Sequence, residues 1–155
     1  MLALDDRKLL PPGVHDSSMK EVEELFGRFQ RSDCRPKLFR KLAEYLKELR
    51  KAEVAGSVIV NGSFVMACVD EPADIDLILV LLESWDEAAD LKPYQYNLVS
   101  KKRVKREYGL DVFVVREKTV DEEKWVKFLS RVNVKWCDIY GWSLESVKGL
   151  VRVAV

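Results

Sequence analysis

A single histidine, His15, and three scattered cysteines, Cys34, Cys68 and Cys137, are all this chain offers of the residues that usually build zinc sites and nucleophile–base relays. With one imidazole, a Ser-His-Asp relay or a histidine-ligated metal has almost nothing to draw on. His15 follows a Pro-Pro-Gly turn, where a cap or a structural contact is its expected role. The cysteines are odd in number, widely separated and without paired metal-ligand spacing, a pattern that favours a reducing cytoplasm. Cys68, between Ala67 and Val69, reads as a small buried apolar residue rather than a nucleophile. Long apolar runs are missing as well: no stretch reaches the ~18 residues of a membrane span. The start, Met1-Leu2-Ala3-Leu4-Asp5-Asp6-Arg7, has no basic segment ahead of an apolar one. A cytoplasmic location without membrane contact is expected. Excess charge of either sign is absent too, because 26 basic residues balance 26 acidic ones. Any nucleic-acid reading must therefore rest on local clusters.

What is present is an ordinary globular composition, 48% hydrophobic and 34% charged over 155 residues, enough for one domain with its own core. The pattern predicts an α/β (α+β) fold, a small mixed sheet packed by helices, spanning residues 1–155. Residues 1–16 read as an irregular lead, because Pro11-Pro12-Gly13 can continue neither a helix nor a central strand. Ser18 and Glu21 form a capping-box pattern ahead of a helix over 19–29, and Leu38, Phe39, Leu42, Tyr45, Leu46 and Leu49 repeat at helical spacing over 36–51. Strands are expected at 57–60, 75–82 and 111–115. Further helices are expected at 86–91, 97–108 and 121–129, the last capped by Thr119 or Asp121. Residues 149–155 read as a last strand or an extended tail. Trp85, Trp125, Trp136 and Trp142 default to core packing, with Tyr94-Gln95-Tyr96 the most exposed-looking of the aromatic segments.

Three acids stand out against this background. Asp74 and Asp76 open the run Asp74-Ile75-Asp76-Leu77-Ile78-Leu79-Val80, and Asp111 sits in Gly109-Leu110-Asp111-Val112-Phe113-Val114-Val115. Alternate residues of a strand share a face, so Asp74 and Asp76 converge on one spot. A third carboxylate opening a neighbouring strand makes a cluster that like-charge repulsion opposes unless a cation neutralises it. Oxygen ligands without histidine or cysteine favour Mg²⁺ or Mn²⁺. Taken singly, each acid is equally readable as a solvated strand boundary; their joint occurrence carries the metal reading.

Written as Val60-Asn61-Gly62-Ser63, ten residues, Asp74-Ile75-Asp76 and then Asp111, the core over 57–115 resembles the nucleotidyltransferase superfamily typified by DNA polymerase beta. It is most similar to the small, minimal nucleotidyltransferases. More faintly, Leu10-Pro11-Pro12-Gly13-Val14-His15 and Lys148-Gly149-Leu150-Val151-Arg152-Val153 resemble the ends of a family of uncharacterised prokaryotic nucleotidyltransferase-fold domains. The resemblance implies a single nucleotidyltransferase-fold domain with Asp74, Asp76 and Asp111 as catalytic metal ligands and Gly62 and Ser63 holding a triphosphate. It implies an Mg²⁺-dependent enzyme that moves a nucleoside monophosphate from a nucleoside triphosphate such as ATP or CTP to a hydroxyl of a protein, an RNA or a small molecule. Small members of the superfamily work in toxin–antitoxin and phage-defence settings.

The chain departs from that pattern in one respect. A basic residue often lies near the Gly-Ser turn, whereas here Phe64-Val65-Met66-Ala67-Cys68-Val69 is apolar. The cationic run Lys101-Lys102-Arg103-Val104-Lys105-Arg106 is the expected source of phosphate contacts, with Lys101, Lys102 and Arg103 as the named candidates; a solvated helix face is its other reading. The alternative to an enzyme is a catalytically silent module on the same fold that binds a nucleotide, a nucleic acid or a protein.

Overall fold

The computed structural model describes residues 2–85 and 91–155. The β-branched run at 57–60 is the middle of a longer strand, β2 (Ala55–Asn61), which lies at the centre of a sheet. Its partners are β1 (Val14–Ser17), β3 (Ile75–Leu81), β4 (Leu110–Arg116) and β5 (Leu150–Ala154). The order is β1-β5-β2-β3-β4. β2 runs antiparallel to both neighbours, while β3 with β4 and β5 with β1 are parallel pairs, so the sheet is mixed.

Around it, among the described residues, are six α-helices: α1 (Met19–Phe26), α2 (Cys34–Ala52), α3 (Pro93–Val99), α4 (Lys101–Tyr108), α5 (Val120–Leu129) and α6 (Val134–Tyr140). Strand alternation divides the apolar side chains between two faces. Val58, Val60, Leu77, Leu79 and Val112 join Leu42, Tyr45, Leu46 and Leu49 of α2 in the main core. Ile59, Ile78, Val80, Val115 and Leu150 face the other way, under Trp125, Val126 and Leu129 of α5. The α+β class expected from the sequence is the observed one, and no helix among the described residues is long and apolar enough to cross a membrane.

Several local expectations need correction. The lead is irregular only as far as Gly13; residues 14–16 belong to β1, paired with a strand more than a hundred positions later, a long-range contact that a short polar segment does not announce. The helix expected over 97–108 is two helices, because Ser100 takes extended backbone and caps α4 by accepting from the Arg103 N–H. The helix expected over 19–29 stops at Phe26, with Gly27 as its C-cap. The helix expected at 86–91 lies almost wholly outside the described residues. Thr119 is the cap of α5, as expected, accepting from the Glu122 N–H.

Two contacts fix the parts of the chain that flank the acids. Arg35, on α2, is fully buried and makes no ion pair among the described residues; its guanidinium donates instead to the carbonyls of Phe26, Phe64, Met66 and Val69. It thereby gathers the loop that connects the Gly-Ser turn to Asp74, which meets its five-donor geometry without an ion pair. At the ends of the chain, the Gly149 N–H donates to the Leu10 carbonyl, and a Cβ at 149 would lie 2.7 Å from that of Leu10. Only glycine lets β5 pass the Pro-Pro turn so closely. His15 bonds the Pro11 carbonyl at 2.6 Å, the structural contact expected for it.

Candidate metal centre

The register of the sheet brings the acids together. Asn61 at the end of β2 stands opposite Asp76 of β3, and Asp76 stands beside Asp111 of β4. Asp74 is two residues before Asp76, just ahead of the strand. One carboxylate oxygen from each of Asp74, Asp76 and Asp111 lies within 4.8 Å of the others. The sheet thus delivers the clustering that strand alternation predicts. All three acids are only partly exposed, so their mutual repulsion is imperfectly screened by water.

Their ionisation reflects that crowding. Burial, then the charges of Asp74 and Asp111, push Asp76 up to about 6. Burial and a hydrogen bond with Asp111 raise Asp74 as well. Asp111 goes the other way: burial opposes its charge, but hydrogen bonds from Asp74 and Lys105 outweigh that and hold it below its ordinary range. Lys105 Nζ donates to Oδ2 of Asp74 and to Oδ2 of Asp111, each at 3.2 Å. One carboxylate of the three, Asp76, has no such close partner among these ion pairs.

Gly62 and Ser63 lie at the same place. Gly62 has φ +80°, and a Cβ there would meet Asp76 Oδ2 at 2.7 Å, so the turn is pressed against the acid. A single 3-10 turn, Ser63–Val65, follows in place of the longer helix that would aim a dipole at the site. Asn61, Gly62, Ser63 and Asp76 form one side of a cleft of about 560 Å³. The opposite side comes from the end of α5, the start of α6 and the approach to β5, with Phe128, Arg131, Lys135, Trp136 and Lys148 among its lining. Another hollow, of about 550 Å³, lies under α5 beside Glu122 and Arg152 and includes none of the three acids.

Among the cations named from the sequence, the structure makes a redistribution. Lys101 sits over the Phe113 ring, 4.4 Å from its centroid, and helps to stabilise the Asp111 charge. Lys102 and Arg103 are exposed on α4 and do not line the cleft. Positions 101 and 105 are one turn apart and share the side of α4 that meets β4, whereas 102 and 103 are turned away from it. The cations that do line the cleft are Arg131, Lys135 and Lys148. Lys148 is 3% exposed and donates to the carbonyls of Leu129 and Arg131; burial lowers it to about 8, although Asp76 pulls it upward.

Two further residues escaped sequence reasoning. Lys148 precedes a strand, where a charge is usually a boundary marker, and only the order β5-β2-β3 sets it beside Asp76. Asn61 is fully buried and neither Oδ1 nor Nδ2 has a hydrogen-bond partner among the described residues. An orphaned buried amide costs roughly 1–3 kcal/mol, which a protein retains where a ligand completes the bonds. The remaining aromatics follow the expected division. Trp125 packs on Phe113, Tyr94 and Tyr96 are exposed, and Trp136 stacks with Tyr140 and reaches the cleft. Burial raises the Cys68 thiol, which argues against a nucleophile there.

The residues suit a hard divalent cation: three carboxylates within reach of one another, a glycine whose missing side chain makes room at Asp76, and an unpartnered amide alongside. No curated protein and no solved structure matches the chain. A family profile described as "Family of unknown function (DUF6932)" matches residues 2–154, and the chain belongs to that family.

Proposed function

We propose that this protein is a metal-dependent nucleotidyltransferase of the superfamily that its Gly-Ser and Asp-x-Asp spacing resembles. The observation that carries the reading is the convergence of Asp74, Asp76 and Asp111, with Asp76 on the wall of the cleft that Asn61, Gly62 and Ser63 also line. Asp74, Asp76 and Asp111 would hold Mg²⁺ or Mn²⁺. When bound, such an ion supplies charge neutralisation to the phosphates and polarises the reacting oxygens.

The chain's own residues account for the rest. Gly62 and Ser63 line the cleft, where backbone amides of the turn and the Ser63 hydroxyl can donate to phosphate oxygens. Lys148, Arg131 and Lys135 supply the positive charge that the apolar segment after Ser63 does not. Asp111, held ionised, is the carboxylate suited to accept a hydrogen bond from the acceptor hydroxyl. The hydroxyl oxygen bonds to the α-phosphorus as its O–H bond breaks and the proton passes to the Asp111 carboxylate, the α–β anhydride bond breaks, and pyrophosphate leaves. The half-buried Trp136 lines the cleft and stacks with Tyr140; a nucleobase would stack on its ring in place of the Lys135 ammonium, which sits 4.7 Å from the ring centroid.

The test is transfer from α-labelled triphosphates, each of the four nucleotides in turn, with Mg²⁺ or Mn²⁺ and with protein, RNA and small-molecule acceptors. Metal-dependent label transfer and pyrophosphate release, lost in Asp74→Ala and Asp76→Ala, support it; no transfer by the wild type under any of these conditions sinks it. Lys105, seated across two of the three acids, favours a second reading. In that reading the fold binds a nucleotide without turning it over. Calorimetric binding of nucleotide without pyrophosphate release distinguishes the two.

A further inference from the structure

Among the described ion pairs, most tie one cation to one acid at an exposed surface, but Lys105 is different. Its ammonium is shared, at equal 3.2 Å distances, by Oδ2 atoms from two separate elements: the loop before β3 and the start of β4. Those same two residues belong to the cluster whose oxygens lie within 4.8 Å of one another. We infer that Lys105 is a built-in stand-in for the divalent cation, an ammonium that holds Asp74 and Asp111 together until a metal displaces it. The inference rests on the metal reading above and names how that site is regulated.

Three observations support displacement rather than a permanent bridge. First, the ammonium takes up the oxygens that a cation would need. Nζ is 3.2 Å from both Oδ2 atoms, whereas a Mg²⁺ ion draws its ligand oxygens to about 2.1 Å; an ammonium and a dication drawn to the same pair of carboxylates would repel each other. Second, the lysine is easy to release. Its side chain is 47% exposed, against 35% for Asp74 and 30% for Asp111, so it can leave into water on a flexible four-carbon stem. Ion pairs as exposed as this contribute little to stability. Third, the cluster is unfinished with Lys105 in place. Lys105 pairs with only two of the three carboxylates, Asp76 feels the Lys148 charge but makes none of the described ion pairs, and buried Asn61 opposite Asp76 has both polar atoms unpartnered among the described residues. The lysine therefore neutralises the part of the site formed by Asp74 and Asp111 and leaves the part formed by Asp76 and Asn61 ready for a ligand.

The position of Lys105 gives the exchange a structural consequence. It lies on α4 four residues before Gly109, the left-handed C-cap, and six before Asp111 on β4, so helix and acid are linked by a short connection. The contact across to Asp74 closes this helix–strand unit onto the loop before β3. Release of Lys105 removes that tie and presents a mobile cation at the rim of the acids, where it can meet an anionic substrate that arrives with the metal.

The experiment uses the full chain and Mn²⁺ alone, with no nucleotide. Mn²⁺ affinity is measured by electron paramagnetic resonance for the wild type, Lys105→Met and Lys105→Gln, with circular dichroism confirming that each is folded. Removing the competitor should tighten Mn²⁺ binding about 3- to 10-fold in both variants and should lower the thermal midpoint of the metal-free protein. In the wild type, mass spectrometry after lysine acetylation should show Lys105 modified several-fold faster at saturating Mn²⁺ than without metal, with the exposed Lys118, past the opposite end of β4 from Asp111, as the internal control. This second readout does not depend on a variant folding. If the wild type binds Mn²⁺ but the variants bind it equally or more weakly, or Lys105 labelling is unchanged by metal, the stand-in role is wrong and the metal site stands. If Asp74, Asp76 and Asp111 variants leave the wild type's Mn²⁺ binding unaltered, or no Mn²⁺ binds at all, the metal reading falls and the inference falls with it.

Discussion

Gly62 and Asp76 are packed so tightly that a single added carbon at position 62 would lie 2.7 Å from the Asp76 carboxylate oxygen. The φ of +80° at Gly62 is itself one that other residues adopt only with strain. Gly62→Ala should therefore act on both stability and site. A loss of about 1–2 kcal/mol is expected from the backbone alone, together with at least tenfold weaker Mn²⁺ binding, because Asp76 must move. Chemical denaturation and metal titration on the same samples check the two effects. Unchanged metal affinity in a folded Gly62→Ala protein would show that the close approach has no bearing on the site.

The elevated proton affinity of Asp76 predicts a trade between stability and function. Its pKa is raised in the fold to about 6 from 3.8. Between those values the native state holds more protons than the unfolded chain, so this group makes metal-free stability fall as pH rises from about 4 to 6, and the deficit persists above that. Asp76→Asn removes it. At pH 7.5 the metal-free variant should be more stable than the wild type by about 1–3 kcal/mol, with the difference vanishing near pH 4. The same variant should lose Mn²⁺ binding, and wild-type Mn²⁺ affinity should weaken as pH drops below 6. A metal-free Asp76→Asn that is less stable at pH 7.5 would contradict the assignment.

These effects also show what a linear reading reaches. Asp74, Asp76 and Asp111 are legible because period-two alternation fixes which residues of a strand share a face, and an acid at the start of an apolar run is conspicuous. That the Asp111 strand lies next to the Asp76 strand follows from parallel pairing, with α3 and α4 in the crossover, and was open to inference. Lys148 and Arg131 are different. Lys148 reaches the cleft on the approach to β5, which inserts between β1 and β2 from the far end of the chain, and Arg131 is bridged to Val147 beside it; no local pattern encodes that insertion. Asn61 was visible only as a turn residue, since nothing in Val60-Asn61-Gly62-Ser63 reveals that its amide is buried without partners. The choice among the cations of 101–106 turned on helix phase: the split at Ser100 starts α4 at Lys101 and sets Lys105, rather than Lys102 or Arg103, against the acids.

Arg35 offers a test that separates folding from chemistry. Its guanidinium donates to four carbonyls from three places in the chain, among them Phe64 and Met66 directly after the Gly-Ser turn. Arg35→Met fills similar volume but leaves those carbonyls without their buried donor, at a cost on the order of 3 kcal/mol or more. Lysine, a point charge without the planar fork, should recover only part of this. Urea denaturation of the two variants provides the comparison. Equal stability of Arg35→Lys and wild type would mean that charge, and not the five-donor geometry, holds the loop.

Lys148 should affect the anion side of the cleft and leave the metal side intact. Its ammonium is buried, bonded to the Leu129 and Arg131 carbonyls, and close enough to Asp76 for the two to stabilise each other's charge. In Lys148→Met the acids lose a competing positive charge, so Mn²⁺ should bind as tightly as in wild type or more so. A non-hydrolysable nucleoside triphosphate should bind at least tenfold more weakly, followed by the fluorescence of Trp136 in the cleft wall. The pH dependence supplies an independent sign. Burial lowers Lys148 to about 8 from 10.5, so between those values the unfolded chain holds more protons than the native one and this group makes stability rise with pH. That rise should be present in wild type and absent in Lys148→Met. A variant that kept the rise would place the titration elsewhere, and one that lost Mn²⁺ and triphosphate binding together would show that Lys148 supports the architecture of the whole cleft rather than its anion side.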